Sequence, residues 1–212
     1  MLGVEVIEIG ARARAALLRA PRYDVLMRFS RGEVWRTQAG EIVWVDEEPD
    51  AFSEMGIVIR SCHPERSEGP GWVGRDIVPP RPPRSLATLG MTEVVDAAIA
   101  RFLAALPEVA AHHLLGLGPG LTPAGDDFLG GFLAVRSRLG YRNVIDTTLT
   151  HEISRARLEM HMRGEGTRAE ARFLRALLAG EDTAAARERL TRLGATSGTD
   201  FIHGAVTAWE RR

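Results

Sequence analysis

The chain has 212 residues, and 45% of them are hydrophobic, so it is long enough to bury a core and is not a disordered protein. Its 27 basic side chains nearly cancel its 28 acidic ones, which excludes a global field that attracts nucleic acid or an acidic membrane surface. The single cysteine, Cys62, excludes an internal disulfide framework, and the apolar stretches are shorter than the roughly 20 residues that span a bilayer, so we expect a cytoplasmic protein.

Residues 1–60 are predicted to form a β-rich region. Short β-favouring runs are separated by loops that contain Gly32 and Gly40, and they cover residues 23–29, 33–37, 41–45 and 56–60. This spacing predicts an antiparallel meander or a small barrel. Apolar residues on both sides of Trp44 indicate a strand that is covered on both faces. A strand followed by a helix is predicted before Tyr23.

Residues 61–91 differ in kind from the rest of the chain. They hold six of the 11 prolines and four glycines, with no helical or strand period. The sequence CHPERSEG, followed by PPRPPRSLATLGMT, is similar to the translation of a dispersed bacterial repeat element. We therefore interpret this Pro/Gly-rich segment as an insert or loop without chemistry, and its basic residues as a solvated linker rather than a nucleic-acid arm.

Residues 92–212 are predicted to form a helical domain, which makes the fold class α+β. Recognisable signals mark the helix ends: Thr92 as a cap, Thr167 with Glu170 at capping-box spacing, and Gly140 and Gly180 as stops. The predicted helices run over about 92–106, 126–139, 143–162, 167–179, 183–193 and 200–209.

A glycine-rich loop at 116–127 interrupts this helical region. Its glycines allow a positive φ and a close approach of backbone to ligand, while Thr122 and Pro123 fit an N-cap and a first helical residue. Free N–H groups at such a helix start suit phosphate or carboxylate oxygens. Three interpretations of Asp126 and Asp127 remain open: binding a divalent cation such as magnesium, accepting hydrogen bonds from an amide ligand, or complementing the helix dipole.

The motif in this loop occurs a second time. Residues 125–131, GDDFLGG, align with residues 198–204, GTDFIHG, and a threonine precedes each copy. The repeat predicts two similar loop-to-helix turns that face each other across one pocket, or a packing device in which phenylalanines anchor the helices and glycines permit close contact. The two interpretations are compatible. His112 and His113, just before the loop, are further candidates for a proton donor or a positive charge.

These motifs resemble a known bacterial family. GLGPGLTPAGDDFLGGFL at 116–133 is similar to the signature of the family called domain of unknown function 2877. A block over residues 147–158 and ATSGTDFIHG at 195–204 resemble the later blocks of that family in the same order. The resemblance covers roughly residues 93–212.

The resemblance implies a function, because this family includes the AllH-type subunit of catabolic oxamate carbamoyltransferase, an enzyme of allantoin breakdown. That enzyme interconverts oxalurate plus phosphate with oxamate plus carbamoyl phosphate, and it needs companion subunits of the FdrA and AllG types. On this basis Asp126 and Asp127 are the candidate catalytic residues. The candidate ligand-binding residues are Gly118, Gly120, Thr122, Gly125, Thr196, Ser197, Gly198 and Asp200. No cofactor is certain, and magnesium is the metal considered.

Two rival functions remain at this point: a noncatalytic assembly subunit, in which the repeated loops only pack helices, and a metal-dependent hydrolase of small amides that uses the aspartates. The insert at 61–91 is a departure from the family pattern. It leaves open whether the N-terminal half is complete and whether the protein is a degraded member that does not join its complex.

Overall fold

A computed structural model describes residues 4–29, 31–61, 91–104, 111–192 and 196–212. These residues form an N-terminal sheet and a set of helices that is mostly C-terminal, which confirms the predicted α+β class. The predicted insert lies outside the described residues, apart from Ser61 and Met91, which belong to a strand and a helix.

The sheet has five strands, in the order β1-β5-β4-β3-β2. They are β1 (Val4–Ile9), β2 (Tyr23–Phe29), β3 (Gly32–Thr37), β4 (Ile42–Asp46) and β5 (Gly56–Ser61). Strands β2, β3 and β4 form the predicted antiparallel meander. The sheet is not closed, so the barrel alternative is wrong.

Strand β5 departs from the meander because it pairs with β4 in parallel. A parallel partner must start at the same end of the sheet as β4, so the chain has to travel back along the length of β4 first. The connection over residues 47–55 does this, and it contains a short 3₁₀ turn at Pro49–Ala51. The other edge of β5 takes β1 in antiparallel pairing, which confirms a strand before Tyr23.

Both faces of the sheet are covered, as the apolar neighbours of Trp44 predicted. Helix α1 (Ala11–Arg19) packs Ala13 and Ala16 against one face, where Val43 and Val45 are buried. The opposite face packs against the helical region, and there Trp44 lies beside a cluster of Val34, Ile42 and Ile153. Ion pairs Arg168–Glu8, at 2.9 Å, and Arg36–Glu152, at 3.2 Å, join the same two regions.

Six further helices follow the sheet in the described part of the chain. They are α2 (Met91–Ala104), α3 (Ala124–Arg138), α4 (Glu152–Met162), α5 (Arg168–Ala179), α6 (Ala184–Thr191) and α7 (Ser197–Glu210). The capping box of Thr167 and Glu170 is present, and Gly180 ends α5 in the left-handed conformation. None of the helices within the described ranges has the length and apolar character needed to cross a membrane.

Three predicted helix starts were wrong. Helix α4 begins at Glu152 rather than near Asn143, because the Asn143 side chain donates to Leu133 O and to Ser137 Oγ of α3 and holds its own segment outside a helix. Thr92 lies inside α2 instead of capping it, since the helix already includes Met91. Helix α7 begins three residues before the predicted position 200, which places Ser197 and Gly198 in its first turn.

Helix α3 lies at the centre of the helical region. It is buried from Gly125 through Val135, on every side, so it has no solvent-facing stripe over that length. Phe102 of α2 packs edge-on against Phe132, with ring centroids 4.9 Å apart. The motif that the sequence singled out therefore begins the most enclosed helix of the fold.

Candidate functional site

The two copies of the repeated motif pack against each other reciprocally. A Cβ atom added to Gly131 of α3 would lie 1.9 Å from the carbonyl oxygen of Phe201, and one added to Gly204 of α7 would lie 1.9 Å from the carbonyl oxygen of Phe128. Each glycine thus lets its helix touch the backbone of the other. The repeat acts as a packing device in this structure, as the second interpretation predicted.

The first glycine of each copy also makes a close backbone contact. A Cβ on Gly125 would lie 2.1 Å from Leu114 O, and a Cβ on Gly198 would lie 2.1 Å from Leu190 O. Both glycines are buried. Among the predicted ligand-binding residues, these two are therefore used to seat the helix starts on the preceding segments.

The starts of α3 and α7 lie together. The hydroxyl oxygens of Thr122 and Ser197 are 3.1 Å apart, although the residues are far apart in sequence. Thr122 is not the N-cap that was predicted, because the helix begins at Ala124 and Pro123, with extended backbone, occupies the cap position. Thr196 precedes α7 and its side chain makes no cap hydrogen bond. The structure thus brings both helix starts to one place.

Asp126 ties the glycine-rich loop to the segment before α4. Its carboxylate accepts a hydrogen bond from the N–H of Gly116, at 2.8 Å, and another from the hydroxyl of Thr150. The residue is only 3% exposed, and this burial raises the pKa of Asp126, an effect that the two hydrogen bonds oppose. Both carboxylate oxygens are therefore engaged within the protein.

Asp127 has a different environment, although it is 4% exposed. Its Oδ1 lies 3.2 Å from Nη1 of Arg157 on α4, while its Oδ2 is buried without a hydrogen-bond partner among the described residues. Burial raises the pKa of Asp127, and the Arg157 guanidinium and the Ser197 hydroxyl oppose the rise. One oxygen of this carboxyl is thus available to a further donor or acceptor.

Arg157 connects Asp127 to a second buried carboxylate, Glu170 at the start of α5. The Glu170 carboxylate accepts from Nη2 of Arg157 at 2.9 Å and from the Thr167 N–H at 2.7 Å, and it lies 3.2 Å from Nε2 of His161. Burial alone would raise the pKa of Glu170, but His161, Arg157 and the Thr167 N–H outweigh it and hold the pKa well below the ordinary value. Glu170 therefore stays ionised inside the core.

Replacing Glu170 with glutamine is expected to change how stability depends on pH. The folded-state pKa lies below the ordinary 4.5, so the unfolded chain binds a proton that the folded chain does not, and stability is lost as the pH falls below about 5.5. Glu170→Gln should melt below the wild type at pH 7, and the gap should narrow towards pH 4. Thermal unfolding across this range tests it, with the exposed Glu188→Gln as control. A gap that is constant with pH would contradict the assignment.

The loop before α3 contributes backbone donors. Gly118 and Gly120 have φ values of 126° and 89°, in the region that favours glycine. Among the described residues, no hydrogen bond uses the N–H groups of Gly118, Gly120, Leu121 or Thr122. Consecutive free N–H groups of this kind can hold an anionic oxygen.

Asp200 has different surroundings from Asp126 and Asp127. Its Oδ2 is buried without a partner in the described part of the chain, and burial raises its pKa against the effect of Thr196 and His203. No hydrogen bond or ion pair among the described residues joins it to Asp126 or Asp127. The structure thus brings Thr122 and Ser197 together, with the Ser197 hydroxyl acting on Asp127, and among the described residues no side-chain hydrogen bond joins Asp200 to Thr122, Ser197 or Asp127.

The remaining candidates are the two histidines just before the glycine-rich loop. His112 and His113 are exposed on a 3₁₀ turn at Ala111–His113. Within the described ranges, no group of three or more His, Cys, Asp or Glu side chains is arranged to hold a metal ion. At Asp127 the Arg157 guanidinium already supplies the positive charge that a cation would bring.

Sequence reasoning missed Arg157 and His161 and recognised Glu170 only as a capping residue. A signal was present in α4, because Arg157 and His161 stand four residues apart, next to the buried Leu158 and Met160. This spacing places an arginine and a histidine on one face of α4, and the neighbouring buried residues show that the helix packs in the core.

Comparison with known proteins finds a family match within the helical region. Residues 114–209 match the model of the family described as oxamate carbamoyltransferase subunit AllH. The resemblance predicted from the repeated motif is thereby confirmed for these residues. No curated protein and no solved structure matches the chain.

Proposed function

We propose that this chain is a subunit of an oxamate carbamoyltransferase-like complex, and the match of residues 114–209 to the AllH family model supports this. In this proposal it binds a small anionic amide or phosphate at the paired starts of α3 and α7. The reaction is the conversion of oxalurate and phosphate to oxamate and carbamoyl phosphate. Companion subunits of the FdrA and AllG types are part of the proposal.

The observation that carries the proposal is the unpartnered Oδ2 of Asp127. A buried carboxylate oxygen without a partner is costly, since it loses its hydration without a compensating hydrogen bond. An amide N–H of a bound substrate would supply that hydrogen bond. Arg157, whose side chain is 19% exposed, offers a cation to a carboxylate or phosphate beside it.

The chemistry needs few protein groups. An oxygen of phosphate forms a bond to the carbamoyl carbon of oxalurate, the bond from that carbon to the oxamate nitrogen breaks, and the nitrogen leaves with one added proton. Burial raises the pKa of Asp127, which suits a group that supplies this proton and takes it back in the reverse direction. The free N–H groups at Gly118 and Gly120 would hold the phosphate.

Asp126 has a supporting role in this proposal. Both of its oxygens accept hydrogen bonds within the protein, from Gly116 and Thr150, so it holds the loop in place rather than contacting substrate. Of the two candidate catalytic residues, Asp127 is therefore the one that touches the reacting amide.

The proposed site needs movement or a partner to admit substrate, since Asp127 is 4% exposed. The family name describes a subunit, and a site that is completed at a subunit contact accounts for a buried reactive group in one chain. This favours measurements on the reconstituted complex over measurements on the chain alone.

Replacing Asp127 with asparagine is expected to lower the turnover of the reconstituted complex by about 100-fold, the lower range for loss of a general acid or base. The change keeps the shape of the side chain and leaves Glu170 paired with Arg157, so the complex should still form. The variant should nevertheless unfold more easily than the wild type, because it loses the charge that faces Arg157, so turnover is compared at a temperature at which both proteins are folded. The matched control is Asp182→Asn. Asp182 is an exposed aspartate just before α6, and it accepts a hydrogen bond from the Ala184 N–H. Asp200→Asn tests the second copy of the motif.

Other outcomes point to the rival functions. A stable complex with unchanged turnover in Asp127→Asn would support an assembly role, and turnover that depends on a divalent ion would support a metal-dependent hydrolase. Thermal unfolding with carbamoyl phosphate, phosphate, oxamate or oxalurate, each with and without magnesium, adds a binding readout. A ligand at about 100 times its dissociation constant should add roughly 2.7 kcal/mol of stability.

A further inference from the structure

A cavity of about 200 Å³ lies among the far ends of α2, α3 and α7, away from the repeated motif. Aromatic side chains and cations line it together: Phe102, Phe132 and Tyr141 form apolar walls, and Arg136, Arg211 and Arg212 stand around them. The lining contains no aspartate or glutamate among the described residues. Arg136 is nine residues after Asp127 on the same helix, so the two lie about 14 Å apart along its axis.

Arg136 is held in place by contacts that leave its charge free. Its guanidinium lies 4.5 Å from the ring centroid of Tyr141 and 5.8 Å from that of Phe132, and its Nε donates to Oδ1 of Asn143 at 3.2 Å. No carboxylate among the described residues pairs with it. A guanidinium that is oriented by two rings and one amide, with both Nη groups left over, is prepared for a planar or tetrahedral anion.

The other two arginines are anchored in a similar way. Nη1 of Arg211 donates to Leu103 O at 2.9 Å, and Nη1 of Arg212 donates to Trp209 O at 3.2 Å. These bonds satisfy carbonyl groups at the ends of α2 and α7, where the helix dipoles attract cations. Each of these bonds uses one N–H of its guanidinium. Within the described residues, no comparable bond to a helix-end carbonyl explains the position of Arg136.

We propose that this cleft binds a small amphiphilic anion, with its phosphate or carboxylate on Arg136, Arg211 and Arg212 and its apolar body against Phe102, Phe132 and Tyr141. Carboxylate and phosphate share the same recognition by guanidinium groups. Tyr141 and Leu139 in this lining are 47% and 37% exposed, so the apolar body of such a ligand would cover surface that a fully polar ligand would leave in water.

The test is calorimetric titration of the full chain with phenyl phosphate, benzoate, inorganic phosphate and benzyl alcohol. We expect phenyl phosphate or benzoate to bind at least tenfold more tightly than inorganic phosphate and benzyl alcohol, and the stronger of the two identifies the anionic group. Arg136→Gln should weaken that binding at least tenfold. Arg187→Gln on the exposed side of α6 should leave it unchanged.

Asp127→Asn should leave the Arg136-dependent part of phenyl phosphate or benzoate binding unchanged, which keeps the inference separate from the proposed reaction. Thermal unfolding without ligand checks that Arg136→Gln is folded, and Arg211→Gln supplies a second variant if it is not. Equal affinity in the wild type and in both arginine variants would overturn the proposal. The absence of binding by all four probes would also overturn the proposal. This holds even if Arg136→Gln weakens assembly with a partner subunit, because the cleft would then be a subunit contact rather than a ligand site.

Discussion

Replacing Arg157 with methionine is expected to lower the free energy of unfolding by about 3 to 5 kcal/mol, the usual cost of removing one partner from a buried ion pair. The guanidinium lies between Oδ1 of Asp127 and Oε1 of Glu170, at 3.2 and 2.9 Å, and both carboxylates are almost fully buried. Without it, two acidic groups share a low-dielectric space. Denaturant unfolding of the full chain measures the loss.

Three comparisons make this result specific. Arg163→Met removes a partner of Glu165 at 3.4 Å near the surface, where such pairs contribute less than about 1 kcal/mol. Arg157→Lys keeps the charge but cannot bridge two carboxylates with a fixed fork, so an intermediate loss is expected. Adding Glu170→Gln to Arg157→Met should recover part of the stability. If the double variant is no more stable than Arg157→Met, the loss does not come from an uncompensated carboxylate.

Replacing Gly131 with alanine is expected to cost about 3 kcal/mol, at the upper end of the usual range for overpacking. The added Cβ would lie 1.9 Å from Phe201 O and 2.9 Å from Ala205 N, and backbone atoms cannot move aside as a flexible side chain can. Gly204→Ala meets Phe128 O at the same 1.9 Å, so it should cost about the same. Thermal and denaturant unfolding of both variants test the prediction.

The reciprocal contact also predicts how the two changes combine. Each pushes α3 and α7 apart, so the second change acts on helices that are already separated, and the double variant should lose less than the sum of the single losses. Gly180→Ala is the control, because its φ is 70° but the space around its Cβ is open. It should lose about 1 kcal/mol from backbone strain alone. Single losses no larger than this control would contradict the close crossing.

Local patterns in the sequence predicted much of the fold. The apolar neighbours of Trp44 reported a strand covered on both faces, and Thr167, Glu170 and Gly180 marked both ends of α5. Each of these patterns depends on residues that are close together in the sequence, so it can be recognised without knowledge of the tertiary structure. The repeat of the motif over 125–131 and 198–204 belongs to the same class of signal.

Features that depend on distant residues could not be predicted in this way. The parallel pairing of β4 with β5 depends on where residues 47–55 return the chain, and composition carries no record of that path. Asp126 and Asp127 are adjacent and looked equivalent in sequence. Only Thr150 and Arg157, which lie 24 and 30 positions later, give them different environments.

The reciprocal contact at Gly131 and Gly204 determines which surface is exposed while the chain is being synthesised. These residues are 73 positions apart, so at 5 to 20 residues per second the ribosome needs roughly 4 to 15 s to pass from one to the other. During that interval Phe128 and Phe132 of α3 have no α7 to cover them. A nascent chain that stalls between the two helices would present this apolar face to chaperones or to other nascent chains.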